Sequence, residues 1–180
     1  DRIELTDELK LAGESADVII YGTLASRHAI TRDTVLSTIE NHSLKLIDVN
    51  LRPPFINKEV VESLISRADV VKLNDDELIV IGSWYSKQAK LTELIKWFAD
   101  KYGTSLVCLT RGAYGALIFD QGKIIEHPGY KVDVIDTVGA GDAFLAGFLK
   151  EYLANKSIEE ALDLACATGA FVASKAGATP

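Results

Sequence analysis

Short apolar runs bounded by turn residues alternate along this chain with segments of helical period, and that alternation restricts the fold more than any other feature. DVIIY at 17–21, LKLIDVN at 44–50, DVVKL at 69–73 and TSLVCLT at 104–110 read as buried strands. Between them, HAITRDTVLSTIEN at 28–41, KEVVESLISRA at 58–68 and KQAKLTELIKWFADKY at 87–102 read as helices. Ser26 is a candidate cap for the first and Asn57 for the second. Asn74 opens a short helix directly after the third strand, and Gly103 ends the long one. GALIFD, a turn at Gln121-Gly122 and KIIEH form an antiparallel hairpin. Two helices, over 140–154 and 157–175, close the chain. This order predicts an α/β fold with right-handed crossovers. Its sheet is mostly parallel, covered by helices on both faces, with the late hairpin as an antiparallel edge. No repeat, low-complexity stretch or linker interrupts it, so residues 1–180 read as a single domain.

Composition narrows the function. A hydrophobic content of 48% in 180 residues suits one sizeable core. The formal net charge of −7 weighs against a nucleic-acid partner, and no basic run is interleaved with aromatics. No apolar stretch is long enough to span a bilayer, and none at the start has the pattern of a signal peptide. Cys108 and Cys166 sit in apolar segments, where the expectation is reduced, buried thiols and a cytosolic compartment. The chain starts at Asp1 and contains no Met, which reads as part of a longer protein or as a trimmed chain. His28, His42 and His127 fit no triad or metal spacing; His28 reads as a helix-start residue. Trp97 and Phe98 read as packing residues.

In sheets of this kind a ligand sits beyond the carboxyl ends of the strands. The segments there are GTLASR, DVNLRPP, KLNDDE, TRGAYG and DTVGAGD, and most are rich in Gly, Asn, Asp or Arg. DTVGAGD stands at a helix start, where unpaired N–H groups and the positive end of the helix dipole favour an anion. Gly139, Ala140 and Gly141 have almost no side chains, so their amides can approach a phosphate closely. A bound phosphate would repel Asp142 in the first turn. The residue makes chemical sense if it takes the proton of an alcohol that attacks that phosphate. The same residues also suit a purely structural role, an acid in a first turn and small residues packed on a sheet. No GxxxxGK[ST] occurs, and no GxGxxG follows the first strand.

DTVGAGDAFLAGFL resembles the C-terminal signature of the ribokinase-like sugar kinases, the PfkB carbohydrate kinases. The resemblance implies a three-layer α/β/α ribokinase-like fold and an ATP-dependent sugar kinase. Asp142 is then the catalytic base, and Gly139, Ala140 and Gly141 form the anion hole. KLNDDE resembles the family's NxxE motif, which assigns Asn74 and Glu77 to Mg2+ and the phosphates; the same spacing is also a capping box. TRGAYGA resembles the nucleotide loop and places Thr110, Gly112 and Gly115 on ATP, although it also reads as a tight turn into the hairpin. The tail ASKAGATP at 173–180 resembles the loop that closes around adenine. Lys72 is either a phosphate contact or a solvated strand-end charge.

DVNLRPP resembles the DxNxRPP pattern of bacterial fructokinases and 2-keto-3-deoxygluconate kinases more than ribokinase or adenosine kinase. Asp48, Asn50 and Arg52 alternate along a segment expected to be extended, so they would point to one side toward substrate. Arg52 has a second reading as a salt bridge that ties the loop. The expected ligands are a small sugar and ATP with Mg2+; a monovalent cation such as K+ beside the anion hole stays open. The family's N-terminal strands, sugar motif and β lid have no counterpart in these residues. Since the lid often forms the dimer contact, the resemblance implies a homodimer for a parent protein. A fragment that binds nucleotide or sugar without chemistry is the alternative of another class.

Overall fold

The computed structural model describes residues 2–40 and 44–180. Asn41, the last residue of the first expected helix, and His42 lie outside the described residues. The elements are α1 (Asp7–Ser15), β1 (Ile19–Gly22), α2 (Ala29–Ile39), β2 (Lys45–Asp48), α3 (Lys58–Ile65), β3 (Val70–Asn74), α4 (Asp75–Ser83), α5 (Leu91–Tyr102), β4 (Leu106–Thr110), β5 (Ala116–Asp120), β6 (Lys123–His127), α6 (Ala140–Leu153) and α7 (Ile158–Ala173). The strands form a mixed six-stranded sheet in the order β1-β2-β3-β4-β5-β6. The chain divides into two compact units, Asp1–Val107 and Cys108–Pro180, with the boundary inside β4.

In the first unit β1, β2 and β3 run parallel, and Gly22, Asp48 and Lys72 fall level at their carboxyl ends. Val70, Val71, Lys72 and Leu73 are all buried, so both faces of β3 are covered. That double burial is why DVVKL reads as an uninterrupted strand rather than an alternating one. Leu64, Ile65, Leu78, Ile81, Ile95 and Phe98 supply fully buried helix faces. Each such side chain contributes about 1.5–3 kcal/mol on leaving water. Asn57 caps α3 by accepting the Val60 N–H at 2.9 Å, as its sequence position predicts.

Three local expectations change. The cap of α2 is His28, whose Nδ1 accepts the Ile30 N–H at 3.3 Å. Ser26 is buried in a short 3-10 turn, and its hydroxyl donates to Gly22 O at 2.9 Å. The long helix starts at Leu91 rather than Lys87, because the Lys87 N–H bonds back to Gly82 O at 3.0 Å to close the turn after α4. An N-terminal helix, α1, also forms, with Thr6 as its cap.

In the second unit β5 and β6 pair antiparallel through a two-residue turn. Gln121 and Gly122 both have left-handed φ, +46° and +92°, the geometry that matches strand twist in tight hairpins. Helices α6 and α7 pack on one another, and the Thr168 hydroxyl on α7 donates to Ala143 O at 2.9 Å. Cys108 and Cys166 are buried free thiols. Among the described residues no helix is long and apolar enough to cross a membrane.

Candidate functional site

Two polar constellations stand at the ends of strands and the start of a helix, one in each unit. The first is built at the carboxyl ends of β1, β2 and β3. Because Asp48 and Lys72 are register partners, their side chains share one face, and Lys72 Nζ reaches both Asp48 carboxylate oxygens at 2.8 and 3.0 Å. Lys72 is 9% exposed, so it is not a solvated strand-end charge. The Val49 N–H donates to Lys72 O at 2.9 Å, and the Thr23 hydroxyl donates to Val49 O at 2.5 Å. The segments after β1 and β2 are thereby laced to one another and to β3. Thr23, buried in GTLASR, is a brace that no motif singled out.

Beyond Asp48 the backbone departs from the expected extended path. Asn50 has φ of +44°, so Asp48, Asn50 and Arg52 do not alternate along one straight segment. The left-handed residue lets the chain turn where Asn is among the few side chains that tolerate it. Pro53–Pro54 is cis. Arg52 is exposed, and its guanidinium has no ion-pair partner among the described residues, which leaves it unspent on the loop.

Asn74 and Glu77 form a capping box in full. The Glu77 N–H donates to Asn74 Oδ1 at 2.8 Å, and the Asn74 N–H donates to Glu77 Oε2 at 2.9 Å. The other Glu77 oxygen accepts the Leu51 N–H at 2.8 Å. Glu77 therefore also fixes the loop after β2, a contact 26 residues back in sequence that local spacing does not reveal. Burial pushes the Glu77 carboxyl above its ordinary range, assisted by the nearby Asp48 charge; the two backbone N–H donors and Lys72 pull the other way. Each of its oxygens accepts one N–H and retains a lone pair. That donor chemistry suits a hard cation held through water rather than a direct cage. Among the described residues no group of three His, Cys, Asp or Glu is arranged to hold a metal.

The second constellation lies in the Cys108–Pro180 unit. Gly139 is the N-cap of α6 at φ +80°. A Cβ there would lie 2.5 Å from Ala178 O, so the tail also requires a glycine at this position. The Ala140 N–H bonds Thr137 O at 3.2 Å, and the Ala143 N–H closes the first turn on Gly139 O at 2.9 Å. The N–H groups of Gly139, Gly141 and Asp142 have no partner among the described residues. Asp142 is exposed in that first turn. An exposed carboxylate beside open amides can orient a hydroxyl next to a bound anion.

Asp136, the first residue of the same motif, has a task that the sequence did not disclose. Its Oδ1 accepts the Val138 N–H at 3.0 Å and its Oδ2 accepts the Gly177 N–H at 3.2 Å. One carboxylate thus ties the mouth of α6 to the tail after α7. Thr110 ends β4, and Gly112 and Gly115 bound a compact turn closed by Arg111 N–H to Gly115 O at 2.8 Å and Gly115 N–H to Gly112 O at 3.2 Å. Arg111 pairs with Glu126 at 2.8 Å, and its buried Nε has no hydrogen-bond partner among the described residues.

The model of the pfkB family carbohydrate kinases matches residues 4–180. An ATP-dependent ribose-1-phosphate kinase of Halopiger xanaduensis is 34% identical over 114 residues, 63% of this chain and 36% of that protein. A fructokinase of Rhizobium leguminosarum bv. trifolii is 27% identical over 156 residues, 82% of this chain and 46% of that protein. The crystal structure of fructokinase from Vibrio cholerae O395, in fructose, ADP and calcium ion bound form, superimposes with a TM-score of 0.79 at 27% identity. It covers 89% of this chain and 56% of that one. The chain therefore spans about half, or less, of the length of these relatives.

Proposed function

The chain belongs to the pfkB family of carbohydrate kinases, and on that premise we propose that it carries the phosphoryl-transfer part of an ATP-dependent sugar kinase. The observation that carries this is the mouth of α6, where the N–H groups of Gly139, Gly141 and Asp142 have no partner among the described residues and the Asp142 carboxylate is exposed in the same first turn. The amides, with Ala140 between them, stabilise charge on the transferred γ-phosphoryl group. Asp142 orients the attacking sugar hydroxyl and takes its proton late, so a strong base is not required. Thr110, Gly112 and Gly115 hold the nucleotide. Lys72, through its pairing with Asp48, fixes the strand ends near which Asn50 and the unspent Arg52 meet the sugar. Asn74 and Glu77 are the residues that would hold Mg2+ through water, and such an ion would supply charge neutralisation at the phosphates; a monovalent cation such as K+ belongs to the same proposal.

Fructose is the proposed acceptor, because DVNLRPP resembles the fructokinase pattern; 2-keto-3-deoxygluconate is the second. The proposed setting is the cytoplasm, with a homodimeric parent and no nucleic-acid or membrane partner. The partial coverage of the relatives favours one other reading, a nucleotide-binding piece without turnover of its own. The test is ADP release from Mg-ATP with fructose, 2-keto-3-deoxygluconate, ribose and adenosine. It is run on this chain and on a longer protein containing it, with Asp142→Asn as the control. Turnover on one sugar that disappears in the variant supports the kinase. Turnover that survives Asp142→Asn refutes the assignment of the base, and ATP binding without turnover in either protein supports the second reading.

A further inference from the structure

We propose that His127 is a positioning residue for the Arg111–Gly115 loop, and that protonating its imidazole loosens the loop and weakens nucleotide binding. The nucleotide part rests on the kinase reading above. His127 is the last residue of β6, and its ring is held on both nitrogens. Nδ1 accepts the Gly129 N–H at 3.0 Å, so in the neutral ring the proton sits on Nε2 and is donated to Asp163 Oδ1 at 3.1 Å. The same oxygen accepts the Tyr130 hydroxyl at 2.6 Å, and the two rings are 5.2 Å apart.

The backbone held by this ring is the seat of the loop. Gly115, at φ +74°, is packed so closely that a Cβ would lie 2.1 Å from His127 O and 2.4 Å from Gly129 N. The contact is reciprocal, because a Cβ on Gly129 would lie 2.9 Å from Gly115 Cα. Gly115 in turn closes the loop through its bonds with Arg111 and Gly112. A path of direct contacts thus runs from the imidazole to the Gly129 amide, to Gly115, and to the residues proposed to hold the nucleotide.

Protonation is possible only at Nδ1. The imidazolium has no acceptor, so the Gly129 N–H loses its partner and faces another N–H. The groups that contact the ring are Asp163 from α7 and Tyr130 from the following loop; Cys166 on α7 feels the charges of Asp163 and of Arg111, which is itself ion-paired with Glu126. The Tyr130 hydroxyl bond and then that of His127 hold the Asp163 carboxyl below its ordinary range, so it stays an anion that welcomes the imidazolium. Burial pushes the Cys166 thiol up to about 11, so it stays neutral.

The experiment follows the amides of Gly112, Gly115 and Gly129 and the His127 ring by NMR from pH 8 to pH 5 in the ligand-free chain. ADP affinity is measured calorimetrically over the same range. His127→Asn is the informative variant, since its Oδ1 can still accept the Gly129 N–H but does not titrate; His127→Ala removes the acceptor. In the wild type, the Gly115 and Gly129 amides should titrate with the ring, and ADP should bind about fivefold more weakly at pH 5.5 than at pH 7.5, the worth of one hydrogen bond. His127→Asn should flatten the amide profile, leave in ADP binding only the pH dependence of the ligand's own phosphate, and keep ADP affinity within about twofold at pH 7.5, while His127→Ala should weaken binding throughout. Loop amides that ignore the ring, or an unchanged pH profile in His127→Asn, overturn the proposal. If the amides follow the ring but ADP binds at no pH, the positioning role stands and the kinase reading fails. The wild-type titration decides the structural point even if a variant does not fold.

Discussion

The strand ends of the first unit and the helix mouth of the second are both polar, but they spend their polarity in opposite ways. At the strand ends, Asp48 and Lys72 neutralise one another, and Glu77 gives its two oxygens to two backbone amides. At the mouth of α6, three N–H groups and the Asp142 carboxylate remain open to a ligand. Buried charges without partners are costly, so the strand ends must be satisfied internally before anything binds. A helix start exposed to water carries no such penalty and can wait for its anion. The first region is therefore expected to respond to substitution through stability, and the second through binding and turnover.

Asp142→Asn is the sharpest test of the contrast. It should reduce turnover by about 10²–10⁴-fold, the range of positioned proton transfer, and leave the melting temperature and ADP affinity nearly unchanged. A large loss of stability in that variant would erase the distinction. Lys72→Met should do the reverse, costing about 2–3 kcal/mol in urea unfolding because the half-buried Asp48 carboxylate loses its ammonium partner. The double variant Lys72→Met with Asp48→Leu should recover part of that loss. If it does not, the pair is not what the strand ends depend on.

Gly139→Ala blurs the boundary. The left-handed φ and the collision with Ala178 predict a cost of about 2 kcal/mol together with displacement of the tail. A shifted Gly177 amide resonance would report the tail, whereas a lowered melting temperature with an unmoved tail would count against the contact. Glu77→Gln is the mildest, at about 1–2 kcal/mol, since one of its two N–H donors would meet an amide NH2. Its pH signature has a definite sign. The folded carboxyl binds its proton more tightly than the unfolded one, so the folded chain carries the extra proton between the ordinary value of 4.5 and the raised one. Stability contributed at that site falls as pH rises through this window and is level above it. The difference between wild type and Glu77→Gln, measured from pH 3 upward, should show that fall; a rise would refute the shift.

Much of this was legible in the sequence, and the omissions share a cause. The doubly covered β3, the Asn57 cap, the hairpin turn and the helix start at Gly139-Ala140 depend on neighbours within a few residues, and local pattern finds those. The Lys72–Asp48 pair, the Leu51 tie to Glu77 and the Gly177 tie to Asp136 join residues 24, 26 and 41 positions apart. Only the register of strands or the packing of helices brings such partners together. Asp48 and Lys72 become partners only through the register of the two parallel strands, since Asp48 ends β2 while Lys72 lies two residues before the end of β3. The left-handed Asn50 had a weaker signal, because that conformation is tolerated rather than demanded by Asn, whereas His28 stands at the helix start where the sequence put it and takes the capping role expected of Ser26.

The double duty of Glu77 has a consequence for how the chain folds. Its side chain caps α4 and, in the same act, fastens the loop after β2, so neither can be completed without the other. A local helix start has in this way been made to report on a distant turn. The Leu51 amide, which no strand partner protects, should therefore exchange with solvent at a rate set by the opening of α4 rather than by the motion of its own loop. The end of β2 and the first turn of α4 would then open and close as one cooperative unit.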